Sequence, residues 1–153
     1  MKAVLQRVKH ARVTVDGKII GEIEKGYLIL LGVMDTDTDE DMKILAKKTA
    51  ELRVFEDENG KMNLSVLDVH GSALVVSQFT LCADVSHGRR PSFTRSAPPV
   101  EAKRLYEAYT EELKLNGIEK VENGEFGADM AVELLNDGPV TILFDTSEWK
   151  KRQ

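Results

Sequence analysis

The chain has 153 residues, of which 42% are hydrophobic and 31% charged, so it fits one folded domain and gives no sign of disorder. Its formal net charge of −5 argues against a broad basic surface that coats nucleic acid, although contact with one nucleic-acid end stays possible. Cys82 is the single cysteine, which excludes an intrachain disulfide and a thiolate metal cluster and favours a cytoplasmic location.

The first third of the chain has the pattern of β-strands. Lys2 to Val8 alternates polar and apolar residues, and Val13 to Val15 runs into Asp16-Gly17, which is typical of a two-residue hairpin turn before Ile19-Ile20. Tyr27 to Val33 is a continuous apolar run and predicts a strand buried on both faces. The N-terminus lacks the apolar core of a signal peptide, and no apolar stretch reaches the ~18 residues of a membrane span.

Two helices are predicted from apolar residues at helical spacing. Thr38 and Asp41 match a capping box, and the first helix is expected from about Asp39 to Val54. The second helix is expected to begin at Pro98-Pro99 and to end at Asn116-Gly117. The predicted buried faces are Met42, Leu45, Ala46, Thr49 and Leu52 in the first helix, and Ala102, Leu105, Tyr106, Tyr109 and Leu113 in the second.

The segment between the helices ends a predicted strand in polar residues. Ala73 to Leu81 reads as a strand that is apolar until it meets Ser77, Gln78 and Thr80. The following stretch from Cys82 to Pro99 is too long for a plain connector, and loops of this length often carry function. It contains the basic run His87 to Arg90, for which a solvated loop is the simpler interpretation. The basic tail Lys150 to Arg152 is interpreted as a frayed terminus.

The last segment, Ala131 to Asp145, is predicted as a strand pair interrupted by Asn136 to Thr141. Asp137-Gly138 is a hairpin signal, but Pro139 has no N–H to donate to the returning strand. A surface turn is one interpretation, and the sequence alone does not establish a cis bond, since only about 5–6% of X–Pro bonds in folded proteins are cis. Because no repeat or linker is present, one α+β domain over residues 1–153 is expected.

The residues of standard catalytic devices are mostly absent. His10, His70 and His87 have no close metal-ligand spacing, and the chain has neither a phosphate-binding glycine loop nor a nucleophile elbow. We therefore expect no metal and no nucleotide cofactor.

Five segments together resemble the D-aminoacyl-tRNA deacylase family, in the order and spacing of that family. They are MKAVLQRV at the start, SQFTL (residues 77–81), GRRPSF (88–93), FGADM (126–130) and NDGPVT (136–141). The resemblance implies a homodimeric hydrolase that cleaves the ester between a D-amino acid and the 3′-terminal adenosine of tRNA, and that also removes glycine mischarged onto tRNA. It further implies a largely antiparallel, barrel-like β core with about two main helices packed on it.

The resemblance also assigns roles to individual residues. Gly138-Pro139 corresponds to a cis-proline motif that enters the pocket of the other subunit and rejects L side chains by steric clash. Arg7 corresponds to the residue that holds this motif in place by hydrogen bonds. The backbone N–H groups of Phe79 and Thr80 correspond to an oxyanion site, with water as the nucleophile and the 2′-OH of the adenosine assisting. The resemblance further implies that Ser77 and Gln78 shape the substrate site, and that Phe126 and Met130 line the pocket for the adenine.

Two alternatives stay open from the sequence. A DNA- or RNA-binding module without catalysis is one, because a eukaryotic relative is described as binding replication-origin DNA, although the acidic net charge argues against it. A general esterase or peptidase with Thr80 as covalent nucleophile is the other, and no nearby residue is evident as its base. His87 departs from the family, where lysine is common, which puts a pH-independent phosphate contact there in doubt.

Overall fold

The computed structural model describes residues 1–150, so Lys151 and Arg152 of the predicted basic tail lie outside the described residues. No helix within these residues is long and apolar enough to span a bilayer. The strands are β1 (Lys2–Val15), β2 (Lys18–Ile23), β3 (Gly26–Gly32), β4 (Phe55–Glu56), β5 (Met62–Leu64), β6 (Ser72–Ser77), β7 (Val121–Asn123) and β8 (Ala131–Asp145). The helices are α1 (Asp39–Glu51), α2 (Pro99–Leu115) and α3 (Thr146–Lys150), and Phe79–Cys82 forms one 3₁₀ turn.

The described residues form an α+β structure around one curled sheet. Five of its six strands are paired in the order β2-β1-β3-β6-β7, and the sixth strand, β8, also pairs with β1. β3 pairs with the first half of β1 and β2 with the second half, whereas β8 pairs along almost all of it. β1 is antiparallel to β2, β3 and β8, whereas β3 with β6 and β6 with β7 are parallel. The expected antiparallel character therefore holds only in part, because the connections from β3 to β6 and from β6 to β7 run through α1 and α2, and helical crossovers join parallel strands.

The sheet is nearly closed into a barrel. β2 approaches β7 so closely that a Cβ atom on Gly21 would lie 2.7 Å from the carbonyl oxygen of Asn123. Apolar residues fill both faces of the sheet. One cluster, with Leu28 and Val76, occupies the barrel side, while a larger one joins the other face to α1 and α2. The predicted burial of β3 on both faces is confirmed.

The predicted hairpin and helices are present, with one corrected boundary. Asp16 and Gly17 turn the chain with φ of 49° and 77°, the positive values that this kind of turn requires. The capping box of Thr38 and Asp41 begins α1, which ends at Glu51 and not at Val54. The helix stops early because Phe55 is buried in an extended segment, where its ring centroid lies 5.2 Å from that of Tyr27.

The predicted strand from Ala73 to Leu81 is shorter than expected. β6 ends at Ser77, whose partner Leu31 is the next-to-last residue of β3. Beyond this pair β3 offers only Gly32, so the chain leaves the sheet and turns through Phe79–Cys82. The cluster of polar side chains therefore lies at a strand end and on a helical turn, not along a strand.

The prediction of a strand pair between Ala131 and Asp145 is wrong. These residues form the single strand β8, which pairs with β1 from Thr14↔Ala131 to Lys2↔Asp145. Val8 pairs with Asn136 and Gln6 with Thr141, so residues 137 to 140, four in number, lie opposite Arg7 alone. The segment NDGPVT is a wide bulge in a strand that keeps its direction, because β1 continues past it as a partner.

Candidate active site

The 3₁₀ turn after β6 is held against the end of β3. The Gln78 N–H donates to the Leu31 carbonyl over 2.8 Å, and the Leu81 N–H donates to the Gln78 carbonyl over 3.1 Å. Gly32 allows this close packing, since a Cβ atom there would lie 3.2 Å from the Gln78 carbonyl oxygen. The N–H groups of Phe79 and Thr80 begin the turn and so have no acceptor within it. They are therefore free to donate to an acceptor that is not part of the turn.

A cavity of about 710 Å³ lies beside this turn. Its volume is within the range of small-molecule sites. The end of β3, the end of β6, the start of α2 and the segment from residue 126 to 132 form its walls. The structure therefore brings together five residues that the sequence nominated, namely Ser77, Gln78, Phe79, Phe126 and Met130.

The wall of the cavity that contains Phe126 is supported by a hydrogen-bonded tyrosine. The Tyr106 hydroxyl donates to the Val75 carbonyl over 2.9 Å and accepts from the Asn123 side-chain amide over 3.1 Å. Burial raises the pKa of Tyr106, so the hydroxyl stays protonated. Its ring centroid lies 5.9 Å from that of Phe126. Because hydrogen bonds hold the Tyr106 hydroxyl, its ring provides a fixed surface against which Phe126 packs.

Gly124 makes room for Met130 at the same wall. A Cβ atom on Gly124 would lie 2.6 Å from the Met130 sulfur. The Gly124 N–H donates to the Val75 carbonyl over 2.9 Å, which holds the backbone close to the barrel. An aromatic ring and a thioether thus line the same pocket, and both make favourable contacts with a planar base.

The Thr80 side chain does not line the cavity. Its residue is exposed, and its hydroxyl accepts a hydrogen bond from the Gln78 side-chain amide. An amide N–H donor cannot remove a proton from a hydroxyl, so this contact does not activate Thr80 as a nucleophile. Thr80 itself is not among the residues that line the cavity.

Phe93 is a site residue that the sequence analysis did not select. Its ring packs edge-on against Phe79, with 5.0 Å between centroids, and it lines the cavity together with Ala97, Pro98 and Pro99. The Ala97 N–H donates to the Val33 carbonyl over 3.0 Å, which joins the end of the long loop to β3. The available signal was the aromatic residue that closes the segment GRRPSF.

Arg7 and the bulge lie outside this cavity. The Arg7 guanidinium, in a residue only 4% exposed, donates from Nε to the Asp137 carbonyl over 3.0 Å and from Nη1 to the Val54 carbonyl over 2.7 Å. Gly138 has a φ of +129°, and the Gly138-Pro139 peptide bond is cis. Both residues are exposed. The bulge is therefore anchored from beneath while its outer surface faces solvent.

Within residues 1–150, no group of three or more His, Cys, Asp and Glu side chains is arranged to hold a metal ion.

The fold and cavity define an α+β barrel with a ligand-sized site at the end of a central strand. A sequence model of the D-Tyr-tRNA(Tyr) deacylase family matches residues 4–145, and the chain belongs to this family. Relatives named D-aminoacyl-tRNA deacylase are 57% identical in Thermosipho africanus and 58% identical in Fusobacterium nucleatum. Each match spans 148 residues and covers 97% of this chain. It covers 99% of the Thermosipho africanus protein and 97% of the Fusobacterium nucleatum protein.

Solved structures agree with this fold. The solved structure of the c-Myc DNA Unwinding Element Binding Protein is 44% identical in sequence and has a TM-score of 0.89. The match covers 95% of this chain and 98% of the other. A probable eukaryotic D-amino acid tRNA deacylase has a TM-score of 0.81, covering 94% of this chain and 97% of the other. At 16% identity, this second likeness concerns the fold alone.

Proposed function

We propose that this protein hydrolyses the ester bond of D-aminoacyl-tRNA and releases the free D-amino acid and tRNA. The observation that carries the proposal is the cavity, which joins the turn at Ser77 to Phe79 with the apolar wall at Phe126 and Met130. Membership of the deacylase family supports the same substrate. The proposed location is the cytoplasm, because the substrate is aminoacyl-tRNA, and residues 1–153 are proposed to form one domain.

The terminal adenosine is proposed to bind at the apolar wall. Phe126 stacks on the adenine and the Met130 thioether fills the space beside it, contacts that suit an unpaired base. Tyr106 and Gly124 keep these two side chains in place. The ester at the 3′ oxygen then lies toward Ser77 and Gln78, which shape the substrate site.

The chemistry is proposed to depend on backbone donors. Water attacks the ester carbonyl, the carbonyl oxygen becomes an oxyanion, and the N–H groups of Phe79 and Thr80 donate to it. The 2′-OH of the adenosine assists proton transfer to the departing 3′ oxygen, so the C–O ester bond breaks to a carboxylic acid and a 3′-hydroxyl. The hydrogen bond between Thr80 and Gln78 supports this assignment, because it gives the Thr80 hydroxyl no base.

Chiral selection is proposed to require a second copy of the chain. The exposed Gly138-Pro139 segment of one protomer enters the cavity of its partner, where bulge carbonyls accept hydrogen bonds from the substrate α-ammonium. An L side chain then meets the bulge backbone, a D side chain points away, and glycine is accepted because it has no side chain. The Arg7 anchor and the exposed Leu135 and Leu143 of β8 support this arrangement.

The central test is a deacylation time course on matched D- and L-tyrosyl-tRNA. We expect hydrolysis of D-tyrosyl-tRNA and glycyl-tRNA at low enzyme concentration, while L-tyrosyl-tRNA is spared. Equal rates on the two enantiomers would contradict the proposal.

The source of catalysis is tested with Thr80→Ala and with a substrate that ends in 2′-deoxyadenosine. The variant is expected to keep substantial activity, and the deoxy substrate to react far more slowly. A trapped acyl-enzyme, together with a loss of several orders of magnitude in Thr80→Ala, would establish the covalent alternative.

The dimer is tested by sedimentation at the assay concentration. A two-fold interface would complete both cavities at once, so activity should accompany the dimer. A fully active monomer would refute the shared site.

A second candidate function is DNA binding, which the name of the 44% identical solved structure favours. It predicts binding of duplex or single-stranded DNA by this chain without ester hydrolysis. Filter binding with DNA, run beside the deacylation assay, separates the two functions.

A further inference from the structure

The loop between the 3₁₀ turn and α2 carries an ordered basic tip. Asp84 and Ser92 exchange backbone hydrogen bonds of 2.8 and 2.9 Å at its base. The Asp84 carboxylate accepts from the Ser86 N–H over 2.9 Å and from the Ser86 hydroxyl over 2.6 Å, which lowers the pKa of Asp84. The residues between these contacts are therefore held in a closed loop, and Arg89 and Arg90 lie exposed on it.

These two arginines differ from the other arginines within residues 1–150. Neither Arg89 nor Arg90 forms an ion pair or hydrogen bond in the described part of the chain, whereas each other described arginine has an acceptor. The partnered residues are Arg7, Arg12, Arg53, Arg95 and Arg104. Two adjacent guanidinium groups without acceptors are free to bind a phosphate-bearing ligand, although the chain as a whole has a net charge of −5.

The tip lies within reach of the cavity. Phe93 lines the cavity and packs on Phe79, and Arg90 precedes it by three residues, a span of at most about 11 Å along the chain. Successive nucleotides of a stacked strand are about 3.4 Å apart. Arg89 and Arg90 therefore lie within about three nucleotides of a base that occupies the cavity.

We propose that Arg89 and Arg90 bind the phosphates of the nucleotides that precede the terminal adenosine in the single-stranded 3′ end of tRNA. This inference rests on the proposed function, which places the adenosine beside Phe126. The arginines bind and orient the RNA strand and take no part in the ester chemistry. Their guanidinium forks match the geometry of phosphate oxygens, and Pro91 restricts the chain immediately after them.

The test compares R89A/R90A with K47A/K48A, which removes the same charge from exposed residues of α1, away from the cavity lining. R89A/R90A should raise the KM for D-tyrosyl-tRNA by roughly 2- to 25-fold, as for two exposed ion pairs, with kcat unchanged. The slope of log KM against log salt should fall by about 1.4, which is two single-strand phosphate contacts. K47A/K48A should behave as the wild type.

A short substrate, 3′-O-(D-tyrosyl)adenosine, lacks the upstream phosphates, and R89A/R90A should hydrolyse it with wild-type KM and kcat. An equal loss on this substrate would overturn the inference, because the loop would then act on the cavity itself. An unchanged KM and salt slope on D-tyrosyl-tRNA would overturn it as well.

Fluorescence anisotropy with uncharged tRNA separates this inference from the proposed function. If the wild type hydrolyses neither substrate, the proposed function fails. Weaker tRNA binding by R89A/R90A than by K47A/K48A would still support the phosphate contacts, and equal binding by the two variants would refute them.

Discussion

The same dipeptide, Asp-Gly, occurs at two places in this chain with opposite outcomes. Asp16-Gly17 reverses the chain between β1 and β2, with φ of 49° and 77°. Asp137-Gly138 lies in a bulge, and β8 continues past it in the same direction. The local signal is equal, so the difference must come from the next residue in the chain and from the strand on the opposite side.

Two features separate these sites. Lys18 follows the first dipeptide and begins the returning strand β2, where it pairs with Val15 of β1. Pro139 follows the second dipeptide and has no N–H to donate. The second site also faces Arg7, whose guanidinium donates to the Asp137 carbonyl and replaces part of the missing ladder. A turn signal is thus overridden when a continuous neighbouring strand supplies both a register and a buried donor.

The largest expected effect comes from removing that donor. Arg7→Ala leaves the Asp137 and Val54 carbonyls without their partner and should lower the free energy of unfolding by about 3–6 kcal/mol, since each of these two hydrogen bonds to a charged group contributes about 1.5–3 kcal/mol. Displacement of the bulge should reduce D-tyrosyl-tRNA hydrolysis by about 100-fold. Urea unfolding and single-turnover rates measure the two effects.

Arg12→Ala is the matched control for Arg7. It lies on the same strand and pairs with Glu133 of β8, but both side chains are exposed. Its loss should change the unfolding free energy by less than about 1 kcal/mol and leave hydrolysis unchanged. Equal effects of the two substitutions would show that the buried anchor has no special role.

The second prediction compares alanine at the two glycines. Gly17→Ala adds a Cβ atom with no atom within 4 Å, so only the positive φ opposes it, at about 1–2 kcal/mol. Gly138 has a φ of +129°, and a Cβ atom there would lie 3.0 Å from both Arg7 Nη2 and Val140 Cγ2. The backbone strain alone should therefore lower the free energy of unfolding of Gly138→Ala by about 1–3 kcal/mol. Urea unfolding ranks the two.

Hydrolysis should separate these variants more clearly than stability does. Gly138→Ala is expected to lower D-tyrosyl-tRNA hydrolysis strongly, because the bulge is proposed to face the substrate, whereas Gly17→Ala should keep the wild-type rate. A fully active Gly138→Ala protein would remove the bulge from the proposed site.

Sequence patterns predicted the parts of this fold that short-range contacts determine. The capping box at Thr38 and the turn at Asp16-Gly17 are satisfied by residues a few positions away. The end of β6 depends instead on where β3 ends, and the bulge in β8 depends on β1, more than 120 positions earlier in the chain. Such distant partners leave no signal in the local pattern.

The candidate site divides in the same way. Ser77 to Phe79, Phe126 and Met130 were nominated through two sequence segments, and the structure places them around one cavity. Phe93 and the start of α2 were missed, because their contribution arises only when the long loop packs on Phe79. Whether Gly138 and Pro139 join the site of a second copy stays a prediction.

The third prediction places proline after the hairpin dipeptide. Lys18→Pro removes one N–H from the first pair of β2 and should lower the free energy of unfolding by about 0.5–1.5 kcal/mol, the contribution of one backbone hydrogen bond. Hydrolysis should not change, since Lys18 does not line the cavity. Lys18→Ala, which keeps the N–H, is the control. If both variants have the same stability, the missing donor does not explain why the two Asp-Gly sites differ.

The smallest expected effect concerns the carboxylate of the bulge. The Arg7 Nε atom lies 3.7 Å from Asp137 Oδ2 but only 3.0 Å from the Asp137 carbonyl oxygen, and the Asp137 side chain is 32% exposed. Because the backbone oxygen receives the hydrogen bond, Asp137→Asn should change the unfolding free energy by less than about 1 kcal/mol, as for partly solvated ion pairs. D-Tyrosyl-tRNA hydrolysis should stay near the wild-type rate, and its salt dependence should not change. A loss comparable to that of Arg7→Ala would show that charge, and not the backbone hydrogen bond, holds the bulge against β1.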